Sequence, residues 1–184
     1  SALLLADNAS ARLYFAPNAN YNGTSTAALT VRAWDQSSGT AGTKVSTATN
    51  GGTTAFSSAT DTVDVTVTAV NDAPTITSLS GDSRAYSEGA EAVVIESGNA
   101  VVADVDSTNF DTGTLTVSFT AGSDSAEDVL AIRNQGTGAG QIGVSGANVT
   151  YQGVTIGTFT GGSSGSNLVI TLNASATSTA MTAL

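Results

Sequence analysis

The chain of 184 residues contains no cysteine and no histidine, only 2 prolines, and only 5 lysine and arginine residues. Without cysteine no disulfide can form. Without cysteine and histidine, neither the usual zinc ligand sets nor a Ser–His or Cys–His nucleophile pair can be built. The 15 acidic residues give a net charge of −10, which disfavours a phosphate backbone as a partner. No apolar run of about 18 residues is present, so we expect no membrane insertion.

The residues that are present predict a folded, all-β protein. Hydrophobic residues make up 40% of the chain and charged residues only 11%, which is unlike the composition of a disordered acidic tail. Serine, threonine and the 20 glycines are abundant. That composition favours strands and tight turns over helices.

Alternation of apolar and polar residues locates the strands. It is clearest in residues 61–70, where Val63, Val65 and Val67 alternate with polar side chains. Residues 148–156 predict a hairpin that turns at Gln152-Gly153, and residues 174–184 predict a short helix. The remaining predicted strands are residues 11–16, 28–34, 75–79, 84–88, 92–96, 100–104, 114–120, 128–133, 141–144, 147–151, 154–159 and 167–172.

The segment Asn71-Asp72-Ala73-Pro74 interrupts the strand pattern, because proline cannot donate to a β-ladder. We therefore predict two domains, residues 1–72 and residues 73–184. The first has three or four good strands where a β-sandwich needs about seven, so we expect it to be incomplete or completed by another chain. The second also ends abruptly, which suggests truncation at its C-terminus. The Gly/Ser-rich residues 36–60 should be ordered only by packing or by a bound ion.

Several carboxylates lie where strands end or the domains meet. Asp104 and Asp106 form an Asp-x-Asp pair after an apolar strand, Asp72 sits at the boundary, and Asp35 and Glu88 end strands. Clustered carboxylates and backbone carbonyls are the ligands of Ca²⁺. The alternative for each residue is a solvated carboxylate or an Asx-turn.

Three segments resemble cadherin signatures: a VxAxDxG strand, a DxNDNAP linker and an AxDxD motif. In this chain they read Val31-x-Ala33-x-Asp35, Val67-x-Ala69-Val70-Asn71-Asp72-Ala73-Pro74, and Ala103-Asp104-Val105-Asp106. The chain is similar to the tandem cadherin-like repeats of giant bacterial surface adhesins.

That resemblance implies tandem Ig/cadherin-like β-sandwiches with Ca²⁺ bound at their junction. The implied ligands are Asn71, Asp72, Asp104 and Asp106, with Asp35 and Glu88 facing neighbouring junctions. Two departures imply fewer or weaker ions. Ala69 replaces the first aspartate of the linker motif, and no Leu-Asp-Arg-Glu motif is present.

Other motifs favour structural interpretations. Residues 123–128, which include Asp124, Glu127 and Asp128, suit a turn better than a second cation site. Trp34 suits a core position better than a sugar platform. The run Gly136-x-Gly138-x-Gly140 does not open a helix after a strand, so it does not predict a dinucleotide site.

We therefore expect a non-enzymatic protein: a calcium-stiffened spacer repeat of a secreted or cell-surface adhesin, whose partners are neighbouring repeats. The alternative is an extracellular filament subunit, a homopolymer completed by β-strand donation from a neighbouring copy. A carbohydrate- or peptide-binding module at the tip of an adhesin is supported least, because the chain has few aromatic residues.

Overall fold

The computed structural model describes residues 1–96 and 98–184. The chain divides into two compact units, Ser1–Val70 (unit 1) and Asn71–Leu184 (unit 2). The described residues form eleven β-strands and one short helix, so the expected β-rich fold is confirmed. The Ig/cadherin-like character of each unit stays a prediction.

Unit 1 is built from two small antiparallel sheets. Strand β1 (Ala2–Leu3) pairs with β3 (Lys44–Val45), and β2 (Gly23–Val31) pairs with β4 (Asp61–Val67). The β2–β4 register shifts between Ser25 and Leu29. There, Oδ1 of Asp64 accepts a hydrogen bond of 2.8 Å from the N–H of Ala27.

Hydrogen bonds and packing organise the long segment of residues 36–60. Trp34 forms an isolated bridge with Phe56, and its indole N–H donates to the carbonyl of Ser38 at 2.7 Å. The Arg32 guanidinium donates to the carbonyls of Ser57 and Ser58. The segment is therefore held by contacts within unit 1. Trp34 is partly buried there.

Unit 2 contains a two-stranded and a five-stranded antiparallel sheet. The small sheet pairs β5 (Thr75–Thr77) with β6 (Val101–Ala103). The large sheet has the order β7-β11-β10-β9-β8, and the helix α1 follows it. These elements are β7 (Thr114–Val117), β8 (Ile142–Ser145), β9 (Asn148–Tyr151), β10 (Val154–Thr160), β11 (Leu168–Leu172) and α1 (Ser178–Ala183).

One face of the large sheet forms the core of unit 2. Val149, Ile156 and Ile170 have at most 1% of their surface exposed, and Ala180 and Met181 of α1 join the same cluster. The hydroxyl of Thr177 caps α1 by accepting from the N–H of Ala180. The described part of the chain has no helix that could span a membrane.

The predicted hairpin between β9 and β10 is confirmed, as is the short C-terminal helix. The turn residues Gln152 and Gly153 have φ values of 53° and 81°. Two consecutive positive φ values are the geometry of a type I′ turn, whose twist matches the flanking strands. Gly153 adopts its φ without the strain that a Cβ would bring.

Four predicted strands are wrong: residues 11–16, 84–88, 92–96 and 128–133 lie outside the strands of the described structure. The guanidinium of Arg84 donates to the carbonyls of Val94 and Glu96. Residues 84–88 and 92–96 are therefore joined by side-chain hydrogen bonds and not by a backbone β-ladder. Leu130 makes one backbone bond, to Gly162. Tyr14 in residues 11–16 is 93% exposed, because no strand pairs with that segment.

Truncating Ile170 to alanine should destabilise unit 2 by about 2–5 kcal/mol, since Ile170 is 1% exposed and the change leaves a cavity. The matched control is Ile76→Ala, because Ile76 is 50% exposed and should lose less than about 1 kcal/mol. Urea unfolding followed by far-UV circular dichroism measures both. Equal losses would contradict this assignment of the core.

Candidate functional site

The candidate site is the turn that follows β6. Asp104 comes directly after the last residue of β6, and its Oδ1 accepts hydrogen bonds from the N–H groups of Asp106 and Ser107, each 3.1 Å long. This is an Asx-type turn, in which a short carboxylate side chain replaces a backbone acceptor. It turns the chain sharply where the strand ends.

The same turn contacts the segment before β5. Thr75 is paired with Ala103, so the antiparallel register places the residues before β5 beside those after β6. Oδ2 of Asp106 accepts from the N–H of Asp72 at 3.0 Å. The amide of Asn71 donates to the carbonyl of Asp72 at 2.8 Å.

The same neighbours also shift the pKa of Asp104. A side-chain hydrogen bond with Asp106, followed by the N–H groups of Asp106 and Ser107, lowers the pKa of Asp104. These donors favour the ionised form of Asp104. When both carboxyl groups are ionised they repel each other, and a bound cation would relieve that repulsion.

Hydrogen bonds thus connect the backbone of Asp72 with the turn of Asp104 and Asp106 in unit 2, but Asp72 contributes its N–H to the contact, and the ion site expected there stays a prediction. Glu88 lies at an exposed turn with Gly89, and no hydrogen bond joins it to this cluster in the part of the chain that is described. Asp35 belongs to unit 1. Its Oδ1 accepts from the N–H of Ser37, and hydrogen bonds from the Ser37 side chain and backbone lower its pKa.

The donor chemistry of the cluster fits Ca²⁺ in part. Asp104 and Asp106 supply carboxylate oxygens, and Asn71 supplies an amide oxygen, all of them hard ligands. Backbone N–H groups already occupy one oxygen of each carboxylate. Within residues 1–96 and 98–184, no group of three or more acidic side chains is gathered closely enough to hold a metal ion.

The acidic residues 123–128 form a turn that is stabilised by its own side chains. Oδ1 of Asp124 accepts from the N–H of Ala126 at 2.8 Å, and Oδ2 of Asp128 accepts from the N–H of Asp124 at 2.7 Å. This agrees with the turn interpretation of that segment.

Sequence reasoning missed the structural role of Glu96. Its carboxylate accepts from the N–H groups of Gly98, Asn99 and Ala100, and these bonds, that of Ala100 first, lower its pKa. An acidic residue shortly before Gly-Asn is typical of a side chain that caps a turn. That signal was available in the sequence.

Comparisons with models of protein families, with curated proteins and with solved structures give no match to this chain.

Replacing Asp104 with asparagine should reduce stability at about pH 7 and have no effect in strong acid. The folded protein lowers the pKa of Asp104, so the charged form adds stability above the ordinary aspartate pKa of about 3.9. That contribution is lost as the pH falls through the lower pKa of the folded state. Urea titrations of wild type and D104N over this pH range measure the difference.

The control is Asp111→Asn, which removes the same charge from a carboxylate that accepts one neighbouring N–H, that of Thr112. D111N should change stability less than D104N. The electrostatic explanation would be contradicted if the stability difference between wild type and D104N were the same in strong acid as at about pH 7.

Proposed function

We propose that this chain is a non-enzymatic spacer module of an extracellular, cell-surface adhesin, built from Ig/cadherin-like sandwiches and stiffened by Ca²⁺ bound at the acidic turn of unit 2 and the segment that precedes β5. The observation that supports this most directly is the hydrogen-bonded group of Asp72, Asp104 and Asp106. It begins two residues after Val70, where the first compact unit ends.

The proposed site needs more oxygens than these carboxylates supply. Ca²⁺ takes six to eight ligands, so Asp104 and Asp106 would be joined by the carboxylate of Asp72, the amide oxygen of Asn71, carbonyl groups and water. Binding would also neutralise part of a net charge of −10. With few carboxylates, the affinity belongs to the weak range of extracellular modules, with Kd of about 10⁻⁴–10⁻³ M.

The mechanical consequence follows from where the ligands lie in the chain. Asn71 and Asp72 belong to the segment that leaves unit 1, whereas Asp104 and Asp106 belong to the turn after β6. An ion that binds both groups would restrict the backbone of the linking segment. Repeated along a tandem array, that restriction would convert a flexible chain of domains into a stiffer rod.

Millimolar Ca²⁺ should narrow the distribution of chain dimensions in small-angle scattering and raise the melting temperature. At ten times Kd the added stability is about 1.4 kcal/mol. The double variant D104N/D106N should lose both responses. Titration calorimetry with CaCl₂ measures the affinity on the same samples.

The matched control is D124N/D128N, which removes two carboxylates from the other acidic turn of unit 2. It should keep the Ca²⁺ response of the wild type. The proposal fails if wild type shows no response to Ca²⁺, or if both double variants lose it equally.

A second candidate, the filament subunit, is favoured by the open construction of unit 1. Strands β2 and β4 pair only with each other among the described residues, so each keeps one edge without a strand partner. Val31 and Val63 on this ribbon are 42% and 46% exposed. Unpaired edges that carry exposed apolar residues are templates for strand addition.

If strands are donated between copies, the mass of the wild-type chain should rise with concentration in sedimentation equilibrium. Val63→Lys should shift association to at least about tenfold higher concentration, because lysine on an edge strand disfavours pairing. The control is Val154→Lys, at a 57% exposed position beside the β9–β10 turn of unit 2 and outside the β2–β4 ribbon. A wild type that stays monomeric throughout would eliminate this candidate.

A further inference from the structure

Residues 11–16 are an apolar segment that no strand pairs with in the described structure. Leu13 and Phe15 are 56% and 46% exposed, and Tyr14, at 93%, is the most exposed large apolar side chain among the described residues. The backbone groups of residues 12–16 make no hydrogen bond to any described residue. The segment thus exposes apolar surface and free backbone groups together, and pairing with a strand would satisfy both.

The backbone of this segment is ready to extend. None of residues 11–17 has a positive φ, and no turn or helix is assigned to them in the described structure. Pro17 limits the segment, because proline lacks an N–H and holds the residue before it in an extended conformation. Tyr14 and Phe15 are residue types that favour strands, and six residues is an ordinary strand length.

The outer edge of β4 offers a matching surface. Among the described residues β4 pairs with β2 alone, so its other edge has no strand partner. With 7 residues, β4 is long enough to align with all of residues 11–16. Val63, Val65 and Val67 lie on one face of β4, because side chains alternate along a strand. Leu13 and Phe15 alternate in the same way, so an added strand would continue this apolar row.

Charge selects β4 over the other open edges. β4 carries two exposed acidic residues, Asp61 and Asp64, and no basic residue, whereas β2 and β7 carry no charged residue. Residues 11–16 contain Arg12 and no acidic residue, in a chain that has only 5 lysine and arginine residues. With Leu13 on the valine face, Arg12 lies on the same face as Asp64, and opposite charges on facing strands favour pairing.

A second exposed apolar segment outside the strands, residues 92–95, fits this edge less well. Its three large side chains are 43%, 47% and 59% exposed. The carbonyl of Val94 already accepts a hydrogen bond of 3.2 Å from the Arg84 guanidinium. Glu91 and Glu96 flank the segment, and their charges would oppose pairing with the acidic edge of β4.

In the structure, residues 11–16 do not pair with β4 of their own copy. We propose that they are the donor segment that adds to the outer edge of β4 in a second copy of this chain. This inference rests on the filament candidate described above and assigns its donor and its acceptor. Because donor and acceptor are different surfaces, the contact is head-to-tail, and it joins successive copies into an open fibre or a closed ring.

Cross-linking tests the pairing directly, because the chain has no cysteine of its own. Copies with Tyr14→Cys are mixed with copies that carry Thr62→Cys or Thr66→Cys, at exposed positions on the face of β4 opposite the valines. A bismaleimide that spans about 8 Å should join the two kinds of copy, since diagonal cross-strand neighbours lie about 7–8 Å apart. The control, Thr116→Cys on the open edge of β7, should give no such product.

Replacing both Leu13 and Tyr14 with proline should shift self-association to at least about tenfold higher concentration in sedimentation equilibrium. Neighbouring residues of a strand point their N–H groups to opposite edges, so one of the two prolines removes a ladder hydrogen bond in any register. The melting temperature of the dilute chain should not change, because these two backbone groups are unbonded in a single copy. The matched control, V93P/V94P in the other exposed segment, should associate as wild type does.

The donor assignment is overturned if wild type associates and L13P/Y14P associates equally strongly; strand donation through another segment would then stand. It fails together with the filament candidate if wild type stays monomeric at every concentration. It is also overturned if Y14C cross-links to T116C as efficiently as to T62C and T66C, or if V93P/V94P alone loses association.

Discussion

The architecture of unit 2 depends on burying one face of its five-stranded sheet against α1. Val149, Ile156 and Ile170 lie on that face, and Met181 of the helix joins them. Because side chains alternate along a strand, fixing these residues inward also fixes which residues point outward. The hydroxyl of Thr182 in α1 contacts both backbone groups of Val102, which connects β6 to the same core. The strand that leads into the acidic turn is thus connected to this packing arrangement.

The acidic turn is stabilised by local hydrogen bonds before any ion is considered. Asp104 and Asp106 both accept backbone N–H groups, and those of Asp104 bend the chain at the end of β6. The carboxylate pair therefore has a structural role of its own. When both groups are ionised, two neighbouring negative charges repel each other in an already acidic chain. This repulsion is the physical basis for proposing a cation there.

The two units differ in how much of their apolar surface they bury. Leu4 and Ala55 are the buried apolar residues described in unit 1, whereas unit 2 has a contiguous core. In unit 1, hydrogen bonds from the side chains of Arg32 and Trp34 hold residues 36–60 in place. Such bonds do not require a large hydrophobic core. This contrast is why strand donation is considered for unit 1. In unit 2, by comparison, the side chains of Asn134 and Gln135 hydrogen-bond to the backbone of the edge strand β8.

The sequence alone indicated the β-rich character and the Gln152-Gly153 turn, which follow from local alternation and backbone φ preferences. It also indicated a short C-terminal helix, where the alternation ends. It also indicated the carboxylates of Asp104 and Asp106 through their spacing. Tertiary structure decided which apolar segments became strands, since a strand needs a partner, and residues 84–88 and 92–96 are joined through the side chain of Arg84. It alone placed Gly143 beside Thr150, because residues that face each other across a sheet are set by strand register, which local sequence does not specify.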